Sequence, residues 1–501
     1  MVDKVLPRHL RKAVERLEAD PARAWTVGEI AAGSGVAPRT LQRQFRRFLG
    51  CLPMQFVRDL RLDRARSEVL RATAGKGVTE IAMRCGFNHF GRFAAQYRQR
   101  YGECPSVTLR KQATTISSAR LPSTPVLGNR PMVAVLPFEL LGAGADAFAD
   151  FTDETTAALM RARWIAVSDT GTVRYQLRGK VRGDESGRLR VTAMLIDSSR
   201  GRHLWAGAWN GLTDELPVLA EQVAAHISSA LQPALRESEI DRAWQTDPCR
   251  LDAWGLTMRA LRYVVSVDGT LELGLELLEQ AIELAPRDPL PVALAAWCHG
   301  LRGGHNFCPS SEDEKSAARA LAERAVRLGS SDALTETFIS AGYTLAHDLA
   351  RAAIHADRAL ALDGGCAWAW GRRGWVHAYC GETQEAIECF QTARSLAPGD
   401  RLDFLWSVGI AAGHFDAAQY DAAARWFERA LAENPGANWI NHVLAPTYAL
   451  ANQVDNASRS FAEFTAAFPD VRIGHVRSGL PYRPDFLDRI TDGLESLGMP
   501  Y

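Results

Sequence analysis

The sequence predicts a multidomain chain: an all-α head of two helix-turn-helix units, a small α/β middle domain and a C-terminal α-solenoid. Three observations carry this. Within the first 110 residues one local grammar occurs twice, about fifty residues apart: Ile30-Ala31 is echoed by Ile81-Ala82, Gly35 by Gly86, and Phe45 by Tyr97. Between Met132 and Leu231, short β-branched runs alternate with stretches of helical period. Beyond residue 245 an alanine-led phrase returns at intervals of 44, 34, 34 and 37 residues, as in stacked helical hairpins. At 501 residues the chain is longer than one hydrophobic core usually serves, so several domains are expected.

Charge divides the chain along the same lines. Of the 58 Lys+Arg and 58 Asp+Glu, residues 1–112 hold 22 basic against 10 acidic, which leaves the remainder with 36 against 48. A basic head on an acidic body suits a polyanion at one end only, and allows the body to compete for the head. The nine cysteines (51, 85, 104, 249, 298, 308, 366, 380 and 389) contain no Cys-x-x-Cys pair. This argues against a zinc site or a disulfide framework and for buried thiols in a reducing compartment. The polar, charged N-terminus does not read as a signal peptide, and no apolar run approaches the roughly 18 residues of a membrane span. The expected location is cytoplasmic, with no membrane partner.

In the head, residues 8–20 form a helix with Leu10, Val14 and Leu17 on one buried face. Thr26 caps the next helix, with Glu29 as its reciprocal partner in a capping box. Ile30 and Ala31 point inward, and Gly33-Ser34-Gly35 makes the turn. Pro38 occupies the first turn of the third helix, where its missing N–H costs nothing. On that helix Leu41, Phe45 and Phe48 face the core, while Arg39, Gln42, Arg43 and Arg46 face out. Pro53 through Leu70 is a connecting helix with Phe56, Leu60 and Leu70 inside. Gly86-Phe87 then turns into a second cationic helix, with Phe93 and Tyr97 on one face, Arg92, Arg98 and Arg100 around the rest, and Gly102 and Pro105 at its end. A lone basic helix is as readily a solvated face as a reader. Two of them, each behind a glycine turn and joined by a rigid helix, can read adjacent major-groove segments roughly 34 Å apart.

The run Gly86-Phe-Asn-His-Phe-Gly-Arg-Phe-Ala-Ala-Gln-Tyr-Arg-Gln-Arg-Tyr-Gly-Glu-Cys-Pro105, within residues 8–110, resembles the signature of the AraC/XylS family of transcription regulators. The resemblance implies double-stranded DNA as the ligand. It places Arg39, Gln42 and Arg43 at base-reading positions of the first recognition helix, and His89, Phe90 and Arg92 at those of the second. Arg46, Arg47 and Arg98 fall where phosphates are met, which positions the protein without specifying sequence. The residue types suit the task, since Arg can clamp guanine O6/N7 and Gln adenine N6/N7, each worth roughly 1–3 kcal/mol of discrimination. Gly91, Ala94 and Ala95 limit how much sequence the second helix reads. Phe90 is open between contact with a thymine methyl and packing on the connecting helix.

Residues 113–130, rich in Thr, Ser and Pro and without apolar period, read as a linker. The domain at 131–235 follows. It has strands at Met132–Phe138, Trp164–Ser168, Tyr175–Val181, Leu189–Ile196 and His203–Trp209, and helices at Phe151–Met160 and Leu216–Leu231. Val133-Ala-Val-Leu-Pro-Phe138, Phe151-Thr-Asp-Glu154, Gly179-Lys-Val-Arg182 and Leu195-Ile-Asp197 through His203-Leu-Trp205 resemble the TolB N-terminal-like α/β domain. The strand–helix insertion usual there is missing between Ser168 and Arg178. Asp150, Asp153, Glu154 and Asp169 cluster in sequence, but no His or Cys joins them at ligand spacing and no glycine-rich phosphate loop follows a strand. Acids at a helix start are expected from the dipole alone. No catalytic residue, metal or cofactor is therefore assigned, and the chain is not expected to be an enzyme.

The phrases led by Ala281, Ala325, Ala359, Ala393 and Ala430 resemble tetratricopeptide repeats over residues 245–470. The clearest repeat begins near Ala367, with Trp370, Gly374 and Tyr379 on its first helix and Ala386 and Phe390 on its second. The Trp and Tyr residues read mostly as repeat core. Residues 471–501 are expected to be an irregular cap with a short helix near 484–496. Such a solenoid implies a protein or peptide partner, or only a scaffolding surface. The whole reads as a bacterial-type transcription regulator whose later domains sense a partner or ligand and alter how the head engages DNA or RNA polymerase. Two alternatives stand beside it: an interaction scaffold with weak, non-specific DNA binding, and a small-molecule-binding or enzymatic middle domain.

Overall fold

The computed structural model describes residues 7–49, 51–71, 78–87, 90–101, 105, 108, 130–142, 148–168, 173–212, 216–266, 270–304 and 311–501. These divide into two compact units, Met1–Val126 with Asp247–Arg250, and Leu127–Thr246 with Leu251–Tyr501. Their architecture is the expected one: a helical head, a small mixed sheet and a long run of helical repeats.

The head contains α1 (Arg8–Ala19), α2 (Val27–Ser34), α3 (Pro38–Gln44), a π-helical turn (Phe45–Leu49), α4 (Pro53–Arg71), α5 (Val78–Arg84) and α6 (Phe90–Tyr101). It has two small cores. The first gathers Leu10, Ala13, Leu17, Trp25, Ile30, Ala31, Leu41, Phe45 and Val57; the second gathers Leu62, Ala65, Val69, Ile81, Ala82, Cys85, Phe87, Phe93 and Tyr97. Helix α4 serves both, with Val57 in the first and Leu62, Ala65 and Val69 in the second, and Phe56 and Leu60 packed against the first as expected. Phe56 and Leu60 are half-buried flanks, and the side chain of Leu70 lies outside the described residues. The buried stripe steps five positions, from Val57 to Leu62, where the helix passes from one core to the other. The third helix also departs from regularity, widening to a π-turn at Phe45, whose ring meets Phe56 edge-on at 5.7 Å. α2 runs on through Ser34, whose hydroxyl donates to the Ile30 carbonyl at 2.7 Å, so the turn begins at Gly35 and not at Gly33.

The second unit begins with a six-stranded mixed sheet. Its strands are β1 (Met132–Val135), β2 (Glu139–Gly142), β3 (Ala166–Ser168), β4 (Tyr175–Gly183), β5 (Arg188–Asp197) and β6 (Arg202–Leu212). The order is β3-β1-β4-β5-β6, with β2 extending β1's place along β4. The short parallel strand β1 is buried from Val133 to Val135 and β3, at the sheet edge, is half-buried, while β4 and β5 alternate inward and outward as a one-sided antiparallel hairpin should. Asp184 closes that hairpin by accepting from the Ser186 and Arg188 backbones at 2.9 and 3.0 Å. Strand β2 was not anticipated, and residues 169–174 alone join β3 to β4.

Helix α7 (Phe151–Met160) has the expected bounds, but α8 runs from Leu216 to Gln245, well beyond the expected stop at Leu231. It carries Pro233 inside, a change that alone costs about 3 kcal/mol. Leu231, Leu235, Ile240 and Ala243 are all buried, and this two-sided packing outweighs the lost hydrogen bond. The other side of α8 faces the repeats: α9 (Ala253–Ser266), α10 (Leu271–Leu284), α11 (Pro289–Gly304), α12 (Ser311–Leu328), α13 (Ala333–Leu345), α14 (Leu349–Leu362), α15 (Ala367–Cys380), α16 (Thr383–Leu396), α17 (Asp403–Asp416), α18 (Tyr420–Glu433), α19 (Asn441–Leu450) and α20 (Val454–Ala467). Gln232 accepts from the Trp164 indole at 3.1 Å and donates to Asp363 at 2.9 Å, tying the sheet domain to a repeat turn. Arg236 pairs with Asp400 at 2.5 Å in the interior, its guanidinium 3.8 Å from the Trp368 ring centre. Sheet, α8 and repeats thus share one continuous core.

The end of the chain holds α21 (Ile473–Gly479), which was not anticipated, and α22 (Pro484–Ser496). Lys315 donates to the Ser478 carbonyl, and Arg483 and Arg489 both reach Asp416 at 2.9 Å. The expected repeat packing holds in detail at α15–α16, where a Cβ on Gly374 would lie 2.9 Å from Phe390.

Candidate nucleic-acid interface

The first helix-turn-helix unit follows from three local devices. Thr26 accepts from the Glu29 backbone at 3.2 Å while the Glu29 carboxylate accepts from the Thr26 backbone at 2.9 Å, so both ends of the capping box are closed. These bonds, from the Thr26 hydroxyl first and its backbone second, hold the Glu29 carboxyl below the usual carboxylate range, with Arg23 adding to the effect. Gly35 ends α2 in the left-handed region at φ 74°, and Pro38 starts α3 at its first position.

On α3, Leu41 is fully buried while Arg39, Gln42 and Arg43 are exposed, with Arg46 and Arg47 exposed on the π-turn that follows. Arg39, Gln42, Arg43 and Arg46 fall at i, i+3, i+4 and i+7, so they form one row along the outer face. None of these residues is held in an ion pair by a described residue. The contrast with other head arginines is instructive. Arg84 pairs with Glu68 at 3.0 Å, and Arg100 spans Asp63 at 2.9 Å and Asp59 at 3.3 Å, bracing α6 against α4.

The second unit repeats the scaffold. Ile81 and Ala82 are fully buried like Ile30 and Ala31, Gly86 sits at φ 86°, and Phe93 and Tyr97 pack edge to face at 5.7 Å. Arg98 is exposed. Phe90 and Arg92 lie in the first turn of α6, but their side chains, and all of His89, lie outside the described residues.

A clamp that sequence reading missed connects the two units. Arg61, at the middle of α4, donates from Nε to the Pro21 carbonyl at 2.7 Å, from one terminal nitrogen to Arg23 at 2.7 Å, and from the other to Gly86 at 3.0 Å. Pro21 and Arg23 precede α2, and Gly86 is the turn before α6. A Cβ on Gly86 would come within 2.6 Å of the Ala22 carbonyl, so the same two loops are in direct backbone contact. Arg61 is one of five arginines on α4 (58, 61, 64, 66 and 71), and nothing local in the sequence sets it apart.

Comparison with known proteins shows what this head is similar to. Residues 30–111 match the helix-turn-helix domain family, and 367–400 match the tetratricopeptide repeat. A probable thc operon regulatory protein of Rhodococcus erythropolis is 46% identical over 106 residues, covering 21% of this chain and 32% of that protein. The XylDLEGF operon transcriptional activator 2 of Pseudomonas putida is 33% identical over 99 residues, covering 20% and 63%. The head is thus similar to transcription regulators of the AraC/XylS type. A solved structure of a probable AraC family transcriptional regulator from Rhodopseudomonas palustris is 33% identical, spanning 21% of this chain and 98% of that one, with a TM-score of 0.21. The chain spans about a third of the Rhodococcus protein's length, and the likeness is confined to the AraC-type head.

In the middle domain, Asp153 and Glu154 lie in the first turn of α7 behind Asp150, where the helix dipole favours acids. Asp169 lies outside the described residues. Among the described residues no group of three His, Cys, Asp or Glu is arranged to hold a metal, and no helix is long and apolar enough to cross a membrane.

Proposed function

We propose that this chain is a sequence-specific, DNA-binding transcription regulator acting in the cytoplasm, with residues 1–112 as the DNA-binding domain and 113–130 as a linker. The α/β domain at 131–235, of TolB N-terminal-like type, and the repeats at 245–470, capped by 471–501, receive the signal. One observation carries the reading: the exposed row Arg39, Gln42, Arg43, with no ion pair among the described residues, on a helix whose cap, turn and buried face leave it no structural task. Arg39, Gln42 and Arg43 read bases in one major-groove segment; His89, Phe90 and Arg92 read the next. Arg46, Arg47 and Arg98 meet phosphates. The output is occupancy of DNA and not chemistry, and a protein or peptide on the repeats, with RNA polymerase as a further partner, transmits it.

The test is selection of sheared genomic DNA by the full-length protein and an Arg43→Ala variant at physiological salt. One asymmetric motif spanning two adjacent segments, relaxed at one position in the variant, is expected. Enrichment of no sequence, with affinity falling steeply but equally for all DNA as salt rises, would leave the scaffold reading instead.

A further inference from the structure

The sheet of the second unit ends on one side in β3, of 3 residues, and on the other in β6, of 11, the longest of the described strands. Among the described residues no strand pairs with the far edge of β6, so its outward N–H and C=O groups form an open template. Edge strands are ordinarily kept short, or guarded by lysine, proline or a bulge. β3 is short, but β6 has no lysine or proline, and its bulge, opposite Leu195 and Ile196, leaves residues 205–212 regular. That run offers about 27 Å of edge.

The middle of this edge reads the same in both directions: Trp205-Ala206-Gly207-Ala208-Trp209. Trp205 and Trp209 lie opposite the buried Leu195 and Val191, so both indoles are on the inner face, half-buried and 6.0 Å apart. Both lean over Gly207, where a Cβ would lie 2.6 Å from the Trp209 ring and 2.8 Å from the Trp205 ring. On the outer face Ala206 and Ala208 are exposed. Arg202, the strand's one charged residue, lies outside the regular run. Self-pairing must keep inner residues inside, because a slip of one residue turns every side chain to the other face. Of the antiparallel registers that do so, the one centred on Gly207 sets indole opposite indole, alanine opposite alanine, and the residue without a side chain on the axis.

We propose that β6 is a self-association edge: two copies of this chain pair β6 antiparallel across a two-fold axis at Gly207, joining their sheets into one. Trp205 of each copy then faces Trp209 of the other on the inner side, and Ala206 faces Ala208 on the outer. Cross-strand aromatic pairs stabilise an antiparallel ladder, and the exposed parts of the indoles are covered. The same patch serves both copies, so the assembly closes at two. A foreign extended segment would also gain the ladder bonds, but a second copy matches the palindrome on both faces. The inference rests on the sheet alone and is independent of the DNA-binding reading, so either can fail without the other.

The experiment follows the mass of the full-length protein by sedimentation velocity from nanomolar to tens of micromolar. A shift from one chain's mass to two is expected. Ala206→Glu combined with Ala208→Glu sets like charges opposite one another at two symmetric places, and should weaken association about tenfold or more. Ala206→Glu combined with Ala208→Arg sets opposite charges there instead, and should associate at least as tightly as the parent. Both positions are exposed, so both variants should unfold at the parent's temperature when compared as single chains at high dilution. As a second readout, Ala206→Cys chains are mixed with Ala208→Cys chains under mild oxidation. The mixture should cross-link, because directly opposed residues lie within disulfide reach, and either variant alone should cross-link no more than the parent. A mass of one chain at every concentration would overturn the proposal, and so would a dimer that both charge variants leave unchanged. Equal association of the two charge variants, or cross-linking of either cysteine variant alone as readily as the mixture, would overturn the axis at Gly207.

Discussion

Replacing Arg61 with alanine removes three charge-assisted hydrogen bonds, of 2.7, 2.7 and 3.0 Å, that join the loop before α2 to the turn before α6. Each such bond contributes about 1.5–3 kcal/mol when well shielded. Arg61 is only half-buried, and the freed carbonyls of Pro21, Arg23 and Gly86 can turn to water, so the total is discounted to about 2–4 kcal/mol. The two cores share no residue, so each helix-turn-helix unit should persist while the orientation between them loosens. Binding of the second unit then loses effective concentration, and affinity for a site with both segments should fall about 10–100-fold. Fluorescence anisotropy on duplexes carrying both segments, or either alone, measures this. A library of altered segment spacings should show broader tolerance in the variant. Arg61→Lys, with one compact donor in place of a planar fork, should be intermediate. Gly86→Ala should mimic Arg61→Ala, because its Cβ would meet the Ala22 carbonyl at 2.6 Å in a left-handed backbone. If single-segment duplexes lose as much affinity as the double one, Arg61 acts on DNA or within one unit, and the clamp is refuted. An unchanged affinity refutes it equally.

Arg46→Ala should weaken all sequences alike and lower the slope of log affinity against log salt by about 1, which a salt titration reads directly. Asp400→Ala leaves Arg236 and the Trp368 indole buried without their acceptor, and should cost the second unit about 3–5 kcal/mol by calorimetry; a loss below about 1 kcal/mol would remove the pair from the spine of that unit. His442 is fully enclosed, and burial pulls it down to about 4 against the pull of the Trp439 carbonyl. Because its folded value is depressed, its contribution is present above the unfolded value near 6.5 and is lost as pH falls toward 4. Up to about 3 kcal/mol should therefore separate the acid-melting curves of parent and His442→Phe, a difference that vanishes above pH 7.

The helices of the head were legible because their signals are local. A Thr26–Glu29 box, Gly35 and Gly86 in turns, Pro38 at a helix start and aromatic residues four apart each act within one or two turns of chain. The same holds for the outward row on α3, since a helix with Leu41 and Phe45 inside has one face left for Arg39, Gln42 and Arg43. The repeats were legible through their period. What escaped was long-range. The helix expected to stop at Leu231 runs through Pro233 to Gln245 because α8 is packed on both sides. Phe56 and Leu60 pack on the first core as expected, but Val57, Leu62, Ala65 and Val69 are buried more deeply because two cores, and not one, draw on α4. Arg61 reaches Pro21 and Arg23 some forty positions back and Gly86 twenty-five ahead, and no spacing rule connects them. Nothing local in the sequence marks Arg372; only the stacking of repeats buries it. The sequence by itself thus determined which segments are helix, strand and reader, because caps, turns and hydrophobic period are set by near neighbours. The tertiary structure decided which charges are paired and which are left waiting, because partners in space are chosen by packing between distant segments.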